Sequence, residues 1–174
     1  MKSFPIIDYN KFPENIYFHK IVNEIIKIGN LKKTKKTILD FGCGNKIFSK
    51  KLPHNKILNY DLHPDLTEIK NYKNYKFDII IFNHVLMYMK KNQIEKLFLN
   101  LKKSNPKLLF LIGIGRQNFF SKLGKFILGQ HKAHDKTYVS YFDQLKLIKK
   151  NLEIIKKKNV LYLTDVFYCS FSNI

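Results

Sequence analysis

Apolar residues along this chain repeat with two different periods. Over residues 13–28, Ile16, Ile21, Val22, Ile25, Ile26 and Ile28 fall at the spacing of one helix face, with Pro13 suited to the first turn and Gly29 to the stop. Residues 91–103 repeat the pattern with Ile94, Leu97, Phe98 and Leu101, and Asn105-Pro106 breaks it. Elsewhere the apolar positions run together. Short unbroken runs at 37–41, 56–60, 77–82 and 107–114 predict strands buried on both faces, as in parallel sheets. A short helix is expected over 46–52, ended by Pro53, and a longer one over 138–151. Residues 153–157 and 160–171 predict a closing antiparallel pair, and 117–129 receive no assignment. Between Asp61 and Asp78 there is too little chain for a full helix and a strand, so a loop through Pro64 and a short edge strand near 66–69 are expected. Strands alternating with helices imply a three-layer α/β sandwich, with a mostly parallel seven-stranded sheet and an antiparallel C-terminal strand.

With 174 residues and 45% apolar content, the chain is expected to form one domain over 1–174, with a helix and basic loop at 1–36 and the core at 37–174. No apolar run approaches a membrane span, and Met1-Lys2-Ser3-Phe4-Pro5 lacks the apolar stretch of a signal peptide. Cys43 and Cys169 make neither a disulfide framework nor a zinc site. A cytoplasmic setting is the expectation.

The net charge of +19 raises nucleic acid and anionic membranes as partners. Its composition argues for a blander origin. Every basic residue except Arg116 is lysine, and Ala133 is the single alanine, a skew of the kind an AT-rich genome produces. The charge is spread evenly along the chain with no basic arm, and readers of bases and phosphates favour arginine forks. Nucleic acid is therefore a disfavoured partner.

The chemistry concentrates at Asp40-Phe41-Gly42-Cys43-Gly44. The first strand ends in an acid, passes through two glycines and enters a helix; the second strand ends in Asp61, twenty-one residues beyond Asp40. Glycines permit a sharp turn and close approach of backbone to ligand, and an acid at that distance can bond ribose hydroxyls. The spacing is Asp-x-Gly-x-Gly, not the Gly-x-Gly-x-x-Gly of dinucleotide sites, since position 47 is Ile47.

This segment resembles motif I of the class I S-adenosylmethionine-dependent methyltransferases, and in particular their small, shortened type 11/12 members. The resemblance runs over roughly 13–171: Asp61 matches the acid closing the second strand, Lys76 to Met89 resembles the fourth-strand segment and its turn, and Pro106 to Ile112 the fifth strand. It implies a Rossmann-like fold and S-adenosyl-L-methionine as cofactor. Asp40, Phe41, Gly42, Cys43 and Gly44 would cradle the methionine end, Asp61 and Leu62 the nucleoside, and Asn83 and His84 would face the reacting groups. Lys46 stands where the family commonly has a third glycine. The helix between the second and third strands is missing, and the acid that meets adenine has no clear counterpart, Glu68 being a poor one.

His84 could take a proton from an acceptor, because its ordinary pKa lies near neutrality; a packed, hydrogen-bonded histidine is the plainer reading. His131, His134 and Tyr138 fall where related enzymes cover the acceptor. His131-x-x-His134-Asp135 could suggest a metal, but no further ligand is placed, so none is expected. Residues 119–129 mix apolar and lysine positions, as a surface-lying amphipathic helix would, so peripheral membrane contact is a candidate. The expected activity is methyl transfer to a small-molecule, sugar or lipid-linked acceptor. RNA methylation and a non-catalytic binding subunit are the alternatives.

Overall fold

A computed structural model describes residues 14–116 and 137–172. Helix α1 (Glu14–Ile28) leads into β1 (Ile38–Phe41), α2 (Ile47–Lys51), β2 (Ile57–Tyr60), β3 (Ile79–Asn83), α3 (Lys91–Ser104), β4 (Leu109–Gly115), α4 (Tyr141–Asn151), β5 (Leu152–Val160) and β6 (Thr164–Phe171). The six strands lie in the order β2-β1-β3-β4-β6-β5. The first four are parallel, while β6 runs antiparallel to β4 and β5 antiparallel to β6.

Alternate residues of each strand face opposite layers. Ile38, Ile79, Ile81, Leu111 and Val166 meet Ile21, Val22, Ile25 and Ile26 of α1 and Ile47 and Phe48 of α2. Leu39, Ile80, Phe82, Phe110, Ile112 and Phe167 meet Ile94, Leu97, Phe98 and Leu101 of α3 and Leu147 and Ile148 of α4. The continuous apolar runs in the sequence follow from this two-sided burial.

Among the described residues the sheet has six strands, not the expected seven. Residues 66–69 form no strand. Glu68 N–H gives a single backbone bond to Asn59 C=O (2.9 Å), and the Thr67 hydroxyl folds back onto Ile69 C=O (2.8 Å), competing with a ladder. Ile16, counted with the apolar face of α1, is 49% exposed. Gly29 does not supply the left-handed residue after α1; Asn30 does, at φ 50°. Gly29 is needed for space, because a Cβ there would lie 2.6 Å from Leu111 Cδ1. Helix α4 starts at Tyr141 because Ser140 and Asp143 form a capping box: Asp143 N–H donates to Ser140 Oγ (3.1 Å) and Ser140 N–H to Asp143 Oδ2 (3.3 Å).

The β5–β6 connection is a tight turn closed by Leu163 N–H to Val160 C=O (3.0 Å). Both central residues, Leu161 (φ 52°) and Tyr162 (φ 56°), are left-handed. Side chains other than glycine, asparagine and aspartate resist that conformation, at a cost of roughly 1–2 kcal/mol each. Asn159 offsets part of it, accepting Tyr162 N–H at its Oδ1 (2.7 Å). The outer strand β5 exposes Lys156, Lys157 and Lys158 and is interrupted by a bulge between Ile154 and Lys156.

Candidate cofactor and acceptor site

Strand order reverses between β1 and β3, the crevice where open α/β sheets bind ligands outside their carboxyl ends. Asp40 lies one residue before the end of β1, and Asn83 ends β3. Asp40 is 2% exposed and its Oδ2 has no hydrogen-bond partner; Asn83 Oδ1 is likewise buried and without one. Gly113 in β4 gives Asn83 its room, since a Cβ there would lie 2.9 Å from Asn83 Oδ1. Buried polar atoms are seldom left unpaired, so two of them at the switch point mark a place for a polar ligand.

The loop after β1 turns through Gly42 (φ +81°) and Gly44 (φ +46°). Gly42 and Cys43 N–H both reach Tyr60 C=O (2.7 and 3.1 Å), which ties the loop to the end of β2. A Cβ on Gly42 would lie 2.5 Å from Val85 Cγ2, whereas one on Gly44 would meet nothing within 4 Å. The backbone at Gly44 therefore borders open space. Lys46, where the resemblance leads one to expect glycine, also has a left-handed backbone (φ 57°). Its ammonium pairs with Glu68 (2.9 Å), and Glu68 also accepts from the buried Asn59 (2.8 Å). Those two bonds hold the Glu68 carboxyl below its usual range.

Asp61 lies across the loop from Asp40. Its Oδ2 accepts Gly44 N–H (3.0 Å) and its Oδ1 accepts His63 N–H (2.9 Å). Each oxygen keeps a lone pair for a ligand hydroxyl. Burial, and secondarily the charge of Asp61, push the Asp40 carboxyl up to about 7. Burial also pushes the Cys43 thiol up to about 12, so it stays protonated, and its Sγ–H points at Leu66 C=O (3.6 Å). Phe41 is buried among Tyr60, Tyr72 and Phe82, and Leu62 is 69% exposed.

His84, the residue after β3, adopts φ +57°, a strained conformation for a side chain of its size. Its N–H holds Gly113 C=O (2.9 Å), its ring lies against Gly115, and the ring edge meets Phe18 at 6.4 Å between centroids. His84 Nε2 bonds Thr164 Oγ1 (3.2 Å), and Thr164 Oγ1 in turn bonds the Tyr17 hydroxyl. Burial pushes the Tyr17 phenol up to about 12, so it acts only as a neutral hydroxyl. Sequence reasoning missed Tyr17 and Thr164. They come from α1 and β6, and only the folded sheet brings them to the end of β3.

Tyr138 is not helical. It lies 57% exposed against the turn after β3, its N–H bonded to Met87 C=O (2.8 Å) and Lys90 over its ring at 5.9 Å. His131, His134 and the 119–129 segment lie outside the described residues. Also unforeseen was Asp165, fully buried on the opposite face of the sheet. It gathers Arg116 (2.8 Å), Asn159 (3.0 Å), Lys157 (3.2 Å) and the Tyr141 hydroxyl (2.6 Å). Burial alone would raise its carboxyl, but these bonds outweigh it and hold the group ionised. An acid inside the apolar run Thr164–Phe171 was the available signal. Among the described residues no helix is long and apolar enough to cross a membrane.

Comparison with known proteins agrees with this architecture. Residues 14–152 match a methyltransferase domain family. The fold is similar to that of the PH0226 protein from Pyrococcus horikoshii OT3 (TM-score 0.70, 12% identity, 96% of this chain and 95% of that one). It is similar to the N-methyltransferase NodS from Bradyrhizobium japonicum WM9, in complex with S-adenosyl-L-homocysteine (TM-score 0.64, 14% identity, 95% and 91%). A third neighbour is magnesium protoporphyrin IX methyltransferase (ChlM) from Synechocystis PCC 6803, also with the demethylated cofactor bound (TM-score 0.58, 10% identity, 98% and 90%). No curated protein matches the sequence. A sheet with this reversal point, a glycine loop between β1 and α2, and a family match over most of the chain lead to one assignment: the chain belongs to the methyltransferase domain family.

Proposed function

We propose that the protein transfers a methyl group from S-adenosylmethionine to a small-molecule or lipid-linked acceptor. The observation that carries this reading is the pair of buried, partnerless oxygens, Asp40 Oδ2 and Asn83 Oδ1, at the reversal point of the sheet beside a glycine loop that borders open space. The cofactor's amino-acid end carries a cationic amine, which suits a buried carboxylate. Asp40 would hold that amine, with Gly42, Cys43 and Gly44 giving backbone contact and Phe41 fixing the strand end. Asp61 would take the ribose hydroxyls, and Leu62 would cover the nucleoside. The bound cofactor supplies a sulfonium-activated methyl group, moved by in-line displacement. The residues contribute mainly alignment of donor and acceptor. His84, oriented by Thr164, would receive the acceptor's proton where the acceptor is weakly nucleophilic. The neighbour named for magnesium protoporphyrin IX supports an acceptor of small-molecule size.

Calorimetric titration with S-adenosylmethionine and with its demethylated product tests the cofactor site. Both should bind, and Asp61→Ala should weaken both about 10- to 100-fold, from the roughly 1.5–3 kcal/mol of hydrogen bonds to a charged group. Unchanged affinity in a folded variant would remove the ribose role.

Affinity should also depend on pH. Free Asp40 is largely protonated below about 7, whereas the cofactor's cation selects its ionised form. Binding below 7 therefore releases a proton, so affinity climbs as pH rises toward 7 and falls again above about 8, where an α-amine loses the proton that makes it a cation. Dissociation constants measured on both sides of pH 7 give the slope; a flat profile would contradict the contact.

A further inference from the structure

Arg116 is the single arginine of a chain whose other basic residues are all lysine. It follows Gly115, the residue against which the His84 ring lies, and its N–H bonds Leu163 C=O (2.7 Å). It therefore stands on the carboxyl edge of the sheet, from which its Nη2 reaches Asp165 (2.8 Å). Neutralising Asp165 does not require it. Lys157 already pairs with that carboxylate (3.2 Å), and the Tyr141 hydroxyl and the Asn159 amide donate to it as well. Two cations thus face one carboxylate, and among the described residues neither pairs with a second acid. The guanidinium also keeps its Nε buried without a hydrogen-bond partner. A buried donor left unpaired beside surplus positive charge is costly unless an anion completes the set.

Where lysine is the default, a retained guanidinium points to a demand that an ammonium does not meet. Its planar fork can hold one carboxylate at one nitrogen and still offer N–H groups to a second oxyanion; lysine acts as a point charge. We propose that Arg116, assisted by Lys157, binds an acidic group, a carboxylate or a phosphate, carried by the methyl acceptor. Both side chains remain partly open to solvent, Arg116 at 30% and Lys157 at 44% exposure, so a ligand can reach them. Thr164, which bonds His84, and Asp165, which holds Arg116, are consecutive in β6 and face opposite sides of the sheet. An acceptor lying across the carboxyl edge would have its acid held at Arg116 and its reacting atom near His84. The acceptor role rests on the methyl-transfer reading above; the anion contact does not.

One arginine means one Nε–H resonance of its kind, so proton–nitrogen NMR of the full chain reads this side chain alone. Acetate and inorganic phosphate are titrated separately at constant ionic strength, with sodium chloride as the balance. One of them should move the Arg116 Nε–H signal to saturation in the millimolar range, and the stronger names the acid as carboxylate or phosphate. Lys157→Met, which removes the surplus charge and spares the reporter, should need several-fold more of that anion. Arg116→Lys should keep the ion pair with Asp165 and lose the rise in melting temperature that the anion gives the wild type. No shift with either anion, a shift that sodium chloride alone reproduces, or an unchanged response in Lys157→Met would each overturn the site. Calorimetry with S-adenosylmethionine on the same wild-type sample keeps the two readings apart. Cofactor binding without the shift overturns the anion site alone; the shift without cofactor binding removes the acceptor role and supports the contact.

Discussion

Asp40→Asn is expected to stabilise the ligand-free protein and abolish its use of the cofactor. The Asp40 carboxyl is buried, carries a partnerless oxygen and feels the charge of Asp61, which together push it up to about 7 from an ordinary 3.8. Between those values the folded protein holds a proton that the unfolded chain has released. Stability from this group is thus complete below 3.8 and falls as pH rises through 7, by on the order of 4 kcal/mol in all. An amide carries no charge, though its burial has its own cost. Above pH 7 the net gain should be about 2 kcal/mol, or about 4–8 °C in melting temperature. The gain should shrink toward zero in acid, where the wild-type carboxyl is neutral too. Affinity for S-adenosylmethionine should fall at least about 100-fold, because the cofactor's amine loses its buried counter-charge. Thermal melts on both sides of pH 7, with calorimetry on the same samples, decide it. A variant that melts lower at high pH, or that binds normally, would show Asp40 to be a loop brace and not a cofactor ligand.

Gly42→Ala and Gly44→Ala are expected to fail differently. At Gly42 the new Cβ meets Val85 at 2.5 Å on a backbone already at φ +81°. Overpacking and the left-handed conformation add, so a loss of about 2–4 kcal/mol is expected, with no measurable cofactor binding. At Gly44 the Cβ enters open space, so only the conformational penalty of about 1 kcal/mol applies. That variant should fold and melt within a few degrees of wild type, yet lose most of its affinity, because the methyl occupies room proposed for the ligand. Denaturant midpoints and titration of both variants distinguish the two effects. Equal affinity of Gly44→Ala and wild type would place the cofactor elsewhere.

The parts of the fold that could be read in advance are those whose causes are local. The β1 loop and its acid at position 61 were legible because one strand, a glycine turn and a short helix fix the path between them. Residues 66–69 misled because apolar content suggests a strand, whereas the Thr67 hydroxyl satisfies the backbone without one. The start of α4 moved because the capping box at Ser140 outweighs the apolar pattern before it. Ile16 kept the helical period without the burial, since period alone does not say how far a helix extends over its sheet. His84 was visible as a residue but not as a geometry. Its partners lie 80 residues away at Thr164 and, beyond that, at Tyr17, itself 147 residues from Thr164. Such contacts are made by sheet order, which no short window of sequence contains.

The lysine-bearing strand β5 has a bearing on the behaviour of many copies together. Among the described residues it borders the sheet, nine residues long, and its outward edge is one that a strand from a second molecule could extend. A copy arriving in register would set ammonium groups against ammonium groups, and the bulge at Ile154/Lys156 turns the ladder out of line just where pairing would begin. At the opposite border β2 offers only four residues, and Glu68 already occupies one of its carbonyls. These features of the two described borders work against edge-to-edge growth of a chain rich in isoleucine and phenylalanine.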